Sequence, residues 1–306
     1  MISMSCLIEQ LFWTMLSQKI QYEKRFSFSG HETFQCKSLW LKKGYDFIKE
    51  GSNFNSETAV IDLGVGKNMV SAIRYWMRAF GMTVDDKLTP IAHYIFDKET
   101  GKDPFIEDLA TLWLLHYMLN ASIEASIYPL FFVEFQTEKK EFTREQLFTF
   151  LKRKCSEKGD PNSYNDNTIK KDIGVLLQNY LVPDESKAYE EFLVLLIDLN
   201  LITVSEKNLY SINYDAKQRF IPEILLYAIL DQKGNTKVIP YDELLEIALI
   251  FCLTQSELDE ILKVLEDKFP KDIRFTDDSG IKQLLFLGEM DKYSVLDKYY
   301  EESHEI

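Results

Sequence analysis

The stretch that most constrains the fold lies between residues 56 and 80. Ser56 stands where a helix N-cap is expected, and the following ETAVIDL points Ala59, Val60 and Leu63 inward before Gly64 stops it. After the turn Gly64-Val65-Gly66, residues 67–80 set Met69, Val70, Ile73, Trp76, Met77 and Phe80 on one helical stripe. The opposite face holds Lys67, Ser71, Arg74, Tyr75 and Arg78, with Asn68 beside them and no acid. A short helix, a glycine turn and a longer helix with a basic outer face predict a helix-turn-helix whose second helix enters the major groove. Arg and Lys suit guanine edges and phosphates, and Ser, Tyr and Asn suit phosphates or bases. The competing reading is a basic face that is merely solvated.

The same punctuation extends along the chain. FSFSG at 26–30 reads as a strand, and residues 38–50 as an amphipathic helix with Leu39, Trp40, Tyr45, Phe47 and Ile48, closed by Gly51. KLTPIAHYIFD, from 87, suits either a wing strand or the next helix. Residues 103–133 read as helical core, with His116 as a satisfied buried histidine, and the charged EKKE at 138–141 marks a boundary. Beyond it, Thr143 and Gln146 match a capping box, and a helix follows over 168–180, capped by Asn167 and striped by Ile169, Ile173, Leu176, Leu177 and Tyr180. Residues 139–172 hold nine Lys or Arg against six Asp or Glu, with Lys152, Arg153, Lys154, Lys170 and Lys171 as the basic cluster. From 192 the pattern predicts a helix followed by two short strands, the helix-plus-wing end of a winged domain. It then recurs: helices at 222–232, 241–251 and 255–269 precede strands around DIRFT and KQLLFLG, joined by a turn at 277–280.

The expected fold is therefore mainly α with short β wings, built as tandem helix-turn-helix or winged-helix-like modules. The expected division is an N-terminal extension over 1–25, a helix-turn-helix domain over 26–137, a second winged-helix-like module over 138–215 and an acidic third over 216–306. A length of 306 residues and a hydrophobic fraction of 46% support two or three cores of ordinary size.

Charge decides which parts can meet DNA. The net charge of −14 argues against a general nucleic-acid coat. Residues 23–87, however, carry 10 positive and 8 negative charges, whereas residues 240–306 carry 17 acids against seven bases. The first module is expected to face DNA. The acidic end is expected to hold other protein subunits, with a solvated surface as the plainer alternative. Cys6, Cys36, Cys155 and Cys252 lie far apart with no histidine placed to complete a zinc set, so neither a metal nor a disulfide framework nor any other cofactor is expected. The apolar N-terminal stretch carries Glu9 and no basic leader, which predicts neither a signal peptide nor a membrane span, and a reducing cytoplasm as the compartment.

Two motifs invite chemistry. Gly64-Val65-Gly66-Lys67-Asn68 departs from a phosphate-binding loop, which needs glycine where Ile61 stands and Ser or Thr where Asn68 stands. His31-Glu32 lacks zinc-protease spacing because position 35 is Gln35, and a buried His31 that fixes the entry to the first helix is preferred to acid-base work.

The strings Gly30-His31-Glu32-Thr33-Phe34, Leu63 to Val70 and Asp108 to His116 resemble a bacterial family of uncharacterised proteins that open with a GHETF motif. The resemblance implies genomic company: genes similar to phosphoadenosine-phosphosulfate reductases and cysteine desulfurases, the neighbourhood of DNA phosphorothioate modification and phage defence. It attaches no catalytic role to any residue. The chain is accordingly read as a DNA-binding or adaptor subunit of such a system, meeting double-stranded DNA, plain or modified, through Lys67, Asn68, Ser71, Arg74, Tyr75, Arg78, Lys170 and Lys171. The alternatives are a protein-only scaffold, or a nuclease or transferase using His31 and Glu32.

Overall fold

The computed structural model describes residues 26–158, 165–183, 193–205, 208–214, 220–278 and 280–304. The N-terminal extension and its apolar stretch lie outside them. The chain forms two compact units, Phe26–Arg219 and Phe220–Ile306. The expected segments 26–137 and 138–215 both fall within the first unit. The fold is mainly helical with small antiparallel sheets.

In the first unit, α1 (Trp40–Lys49), α2 (Ala59–Leu63) and α3 (Lys67–Ala79) follow one another. Gly64 takes a left-handed φ of 64°, which lets the carbonyls at the end of α2 find donors without a Cβ penalty. Residues 26–30 form no strand: Ser27 instead exchanges bonds with Ser126, its N–H donating to the hydroxyl at 2.8 Å. The segment after α3 supplies both a short hairpin and a helix. Strands β1 (Thr83–Val84) and β2 (Lys87–Leu88) pair around Asp85 and Asp86, whose φ values of 50° and 60° suit a tight two-residue hairpin. Helix α4 (Pro90–Phe96) then starts with proline in its first turn, where no N–H is needed.

The expected helix over 103–133 is two helices. Buried Asp103 accepts the backbone N–H groups of Glu107 and Asp108 and the hydroxyl of Thr111, holding a turn, and Asp108 caps α5 (Leu109–Ala121). Helix α6 comprises Ile127–Pro129, a π-helical Leu130–Phe135 and Gln136–Glu138. His116 is fully buried, with Nδ1 2.8 Å from the Tyr180 hydroxyl, so it is a satisfied core histidine.

Strand β3 (Glu141–Phe142) leads into α7 (Arg144–Glu157), which carries the expected Thr143–Gln146 capping box. Helix α8 (Asp166–Tyr180) starts two residues earlier than expected because the Asn165 side chain, not Asn167, accepts the first free N–H. No helix forms over 193–196, the described start of the next expected helix. Its backbone bonds across to residues 36–38 (Leu195 N–H to Cys36 O, Ser38 N–H to Leu193 O), leaving only the 3-10 turn Ile197–Leu199. Strands β4 (Ile202–Val204) and β5 (Tyr210–Ile212) complete a sheet of order β3-β5-β4.

The second unit repeats that order. It runs α9 (Pro222–Gln232), β6 (Val238–Pro240), α10 (Tyr241–Ile250), α11 (Gln255–Lys268), β7 (Ile273–Asp278), β8 (Ile281–Phe286) and α12 (Lys292–His304). Its sheet order is β6-β8-β7. In each three-stranded sheet the first strand pairs with the third, and among the described residues two α-helices stand between its first and second strands. Helix α9 is the core of the second unit, with Ile224 through Ile229 buried and Glu223 ion-paired to Lys268. No helix among the described residues is long and apolar enough to cross a membrane.

Candidate nucleic-acid interface

The eight residues expected to meet DNA divide sharply by environment. On α3, Lys67, Asn68 and Ser71 are exposed at the N-terminal end, as the stripe predicts. Tyr75 is the clear correction: it is only 3% exposed and belongs to the core. Its ring meets His31 edge-on at 5.7 Å and covers Gly30, where an added Cβ would stand 2.5 Å from a ring carbon. Burial, with the Asp172 and Glu124 charges nearby, pushes its hydroxyl pKa far up, as expected of a phenol out of water.

The two arginines of α3 already have acidic partners. Arg74 makes a bidentate pair with Asp86 in the β1–β2 turn, at 2.9 and 2.5 Å, and donates to the Asn55 side chain at 3.0 Å. The Asp86 bond raises its pKa. Arg78 places Nε 3.7 Å from the Glu124 carboxylate, and that Nε is buried without a hydrogen bond. The absence of acids within α3 was misleading, because the acids arrive from the following turn and from residue 124.

The basic cluster of the α7–α8 region is also thinned by pairing. Lys152 meets Asp166 at 2.9 Å, Arg153 meets Glu138 at 2.5 Å, and Lys154 meets Glu134 at 2.6 Å and Glu157 at 3.1 Å. Lys170 and Lys171 remain exposed on α8; the Lys170 ammonium lies over the Phe148 ring at 5.1 Å. With exposed Asn167 and Gln178 and half-exposed Gly174, they form one stripe at helical spacing. Nothing stands within 4 Å of a Cβ built on Gly174, so that face is open. Gln178 escaped notice because the helix was read through its apolar stripe, and Asn167 was read as the cap rather than as part of this face, yet their spacing from the lysines was available.

The GHETF motif packs against the inner side of both helices. His31 is 4% exposed; its Nε2 lies 3.0 Å from the Asp172 carboxylate on α8, and its Nδ1 accepts the Thr33 N–H at 3.1 Å. The bond pattern thus puts the ring proton on Nε2. His31 and the Trp76 ring of α3 stack at 6.3 Å, and the Trp76 indole donates to Phe34 O. Glu32 is exposed and Phe34 half-buried. Asp172 went unremarked in the sequence, although an acid beside Ile173 in an apolar stripe signals a buried partner. Among the described residues there is no group of three or more His, Cys, Asp or Glu side chains that could hold a metal ion.

A family model described as "Protein of unknown function (DUF4007)" matches residues 28–300, spanning the GHETF motif and nearly all of both units. The chain belongs to the DUF4007 family. Two solved structures share its fold. One, titled "SspB crystal structure", is 25% identical with a TM-score of 0.80, covering 92% of this chain and 91% of that one. The other, titled "Magnesium ion-bound SspB crystal structure", is 24% identical with a TM-score of 0.77, covering 92% and 90%. No curated protein matches this DUF4007 chain.

Proposed function

We propose that this DUF4007 protein is a DNA-binding or adaptor component of a bacterial DNA-modification or defence system of the phosphorothioation type, and that α8 carries its principal DNA contact. The observation that supports α8 is its open outer stripe of Asn167, Lys170, Lys171, Gly174 and Gln178, free of acid except at its paired first residue. The order β3-α7-α8-β4-β5 with sheet order β3-β5-β4 supports reading this segment as a winged helix, with α8 as its recognition helix and the β4–β5 hairpin as its wing. The likeness to SspB, together with the genomic company that the GHETF resemblance implies, supports the system context.

In the second unit the equivalent helix, α11, exposes Glu260 and Asp267 against the single cation Lys263, and the end of β7 exposes Asp277 and Asp278. That sign repels phosphate, so this unit is read as the side that meets protein. The pairing of Arg74 and Arg78 favours a second reading for α2–α3, namely that this pair packs against protein and leaves DNA to α8. The protein is read as a binding subunit rather than a self-sufficient enzyme: both ring nitrogens of His31 are already engaged within the protein.

The test is fluorescence anisotropy of the full chain against plain and phosphorothioated duplexes across a salt series. Salt-steep binding that is weakened by Lys170→Ala plus Lys171→Ala supports the reading. Absence of binding to either duplex would leave the protein-only scaffold. DNA cleavage with Mg²⁺ or Mn²⁺ that is lost in His31→Ala would instead make it an enzyme.

A further inference from the structure

The GHETF segment is too strained to be an ordinary connection. Ser29, Glu32 and Thr33 adopt φ values of 77°, 50° and 66°, left-handed conformations that residues with a Cβ hold only where the surroundings over-determine them. Rings of α3 pack on this segment, and its buried polar partners come from α8. Asp172 accepts the Ser29 N–H at 3.0 and 3.1 Å and the His31 Nε2–H at 3.0 Å. Two turns further on, the Asn179 side-chain oxygen accepts the Cys36 N–H at 3.0 Å, while its nitrogen donates to the Tyr128 hydroxyl at 2.6 Å. Asp172 and Asn179 are 2% and 0% exposed.

The spacing of these two side chains gives the contact a direction. Residues seven apart share a helix face, so Asp172 and Asn179 form one buried polar line. At about 100° per residue, the stripe of Asn167, Lys170, Lys171, Gly174 and Gln178 lies roughly on the opposite side. Turning α8 about its axis would move the lysines away from their present direction, and it would also break the bonds to Ser29, His31 and Cys36. Apolar contacts alone resist such rotation weakly, whereas a buried carboxylate stripped of its donors is costly.

We propose that residues 29–36 form a clasp that fixes the rotation of α8, and that His31, through Asp172, is a positioning residue for the contact made by the outer face of that helix. This rests on the reading of α8 as the DNA-contacting helix. It gives the motif a role other than chemistry.

The experiment uses the full chain and its His31→Ala, His31→Gln, Asp172→Asn and Lys170→Ala/Lys171→Ala variants. Two readouts are taken: hydrogen exchange along the chain, and anisotropy with a plain DNA duplex. The clasp predicts that His31→Ala speeds exchange in α8 by about tenfold or more while α9 and α11 keep their protection, and that duplex affinity falls by about tenfold. His31→Gln, which keeps a side-chain N–H donor for Asp172, should recover affinity to within about threefold. If His31→Ala does not fold, Asp172→Asn against His31→Gln gives the same comparison. Unchanged exchange in α8 overturns the clasp. Faster exchange with unchanged duplex affinity, while the lysine double variant loses affinity, overturns the positioning role. If the lysine variant also binds like the wild type, the reading of α8 as the DNA helix has failed, and exchange alone decides for or against the clasp.

Discussion

Helices α3 and α8 look alike as sequences and differ as surfaces. Each has an apolar stripe, a polar or glycine stop nearby and basic residues off the stripe. In α3 the cations at 74 and 78 are met by Asp86 and Glu124, and the aromatic among them, Tyr75, turns inward over Gly30. In α8 the acid within the basic run, Asp172, turns inward to His31, and the lysines before it stay in water. The local charge count favoured α3, yet the open cationic stripe belongs to α8. A side chain's sign is local, but what neutralises it comes from elsewhere in the chain.

The comparison is sharpened most by Tyr75→Ala. If Tyr75 is core rather than contact, its removal should cost about 3–5 kcal/mol of stability, measured by urea unfolding. A loss of duplex affinity with unchanged stability would return Tyr75 to the interface. Next in size, Lys170→Ala plus Lys171→Ala should flatten the slope of log affinity against log salt by about 2, with the fold intact by circular dichroism. An unchanged slope would break the assignment to α8.

The converse variant, Arg74→Ala plus Arg78→Ala, should leave that salt slope where it was. It should lower stability by only about 0.5–1 kcal/mol, since both pairs are partly exposed and solvent screens them. A slope lowered by about 2 would show that the acids yield their arginines to phosphate and would restore α3 as a reader.

The smallest effect concerns the support of α1, which packs on α3. Asp97 accepts the N–H groups of Glu99 and Thr100 and bonds from Lys49 and Tyr45, which hold its carboxyl pKa well below the usual range. A depressed folded pKa means that the unfolded chain takes the proton first. The stabilisation is therefore complete above about pH 4 and lost as pH falls through the folded value. The Tm gap between wild type and Asp97→Asn should be largest near neutrality and shrink below about pH 4. A gap independent of pH would mean that packing, not charge, ties residue 97 to α1.

Much of the fold was legible because helices announce themselves locally. The glycine stop at 64, the capping box at Thr143 and the helices of the second unit follow from side chains within a few residues of one another. Two of the errors share one cause. The expected helix after 192 and strand at 26–30 gave way to bonds with distant partners: residues 36–38 for the first, Ser126 for the second. Of the candidate site, Lys67, Asn68, Ser71, Lys170 and Lys171 were correctly placed at the surface, because a polar side chain opposite an apolar stripe has nowhere else to point. Tyr75 was not, because an aromatic with a hydroxyl fits either side of a helix.

The sequence by itself determined where most helices lie, which half of the chain is acidic and which motif marks the family, since these depend on neighbours, counts and identities. Tertiary structure alone decided that Asp172 lies under His31, that Asp86 meets Arg74 and that Tyr75 is core. Such pairings join residues 12 to 141 positions apart, and no local rule of spacing or capping reaches across that distance.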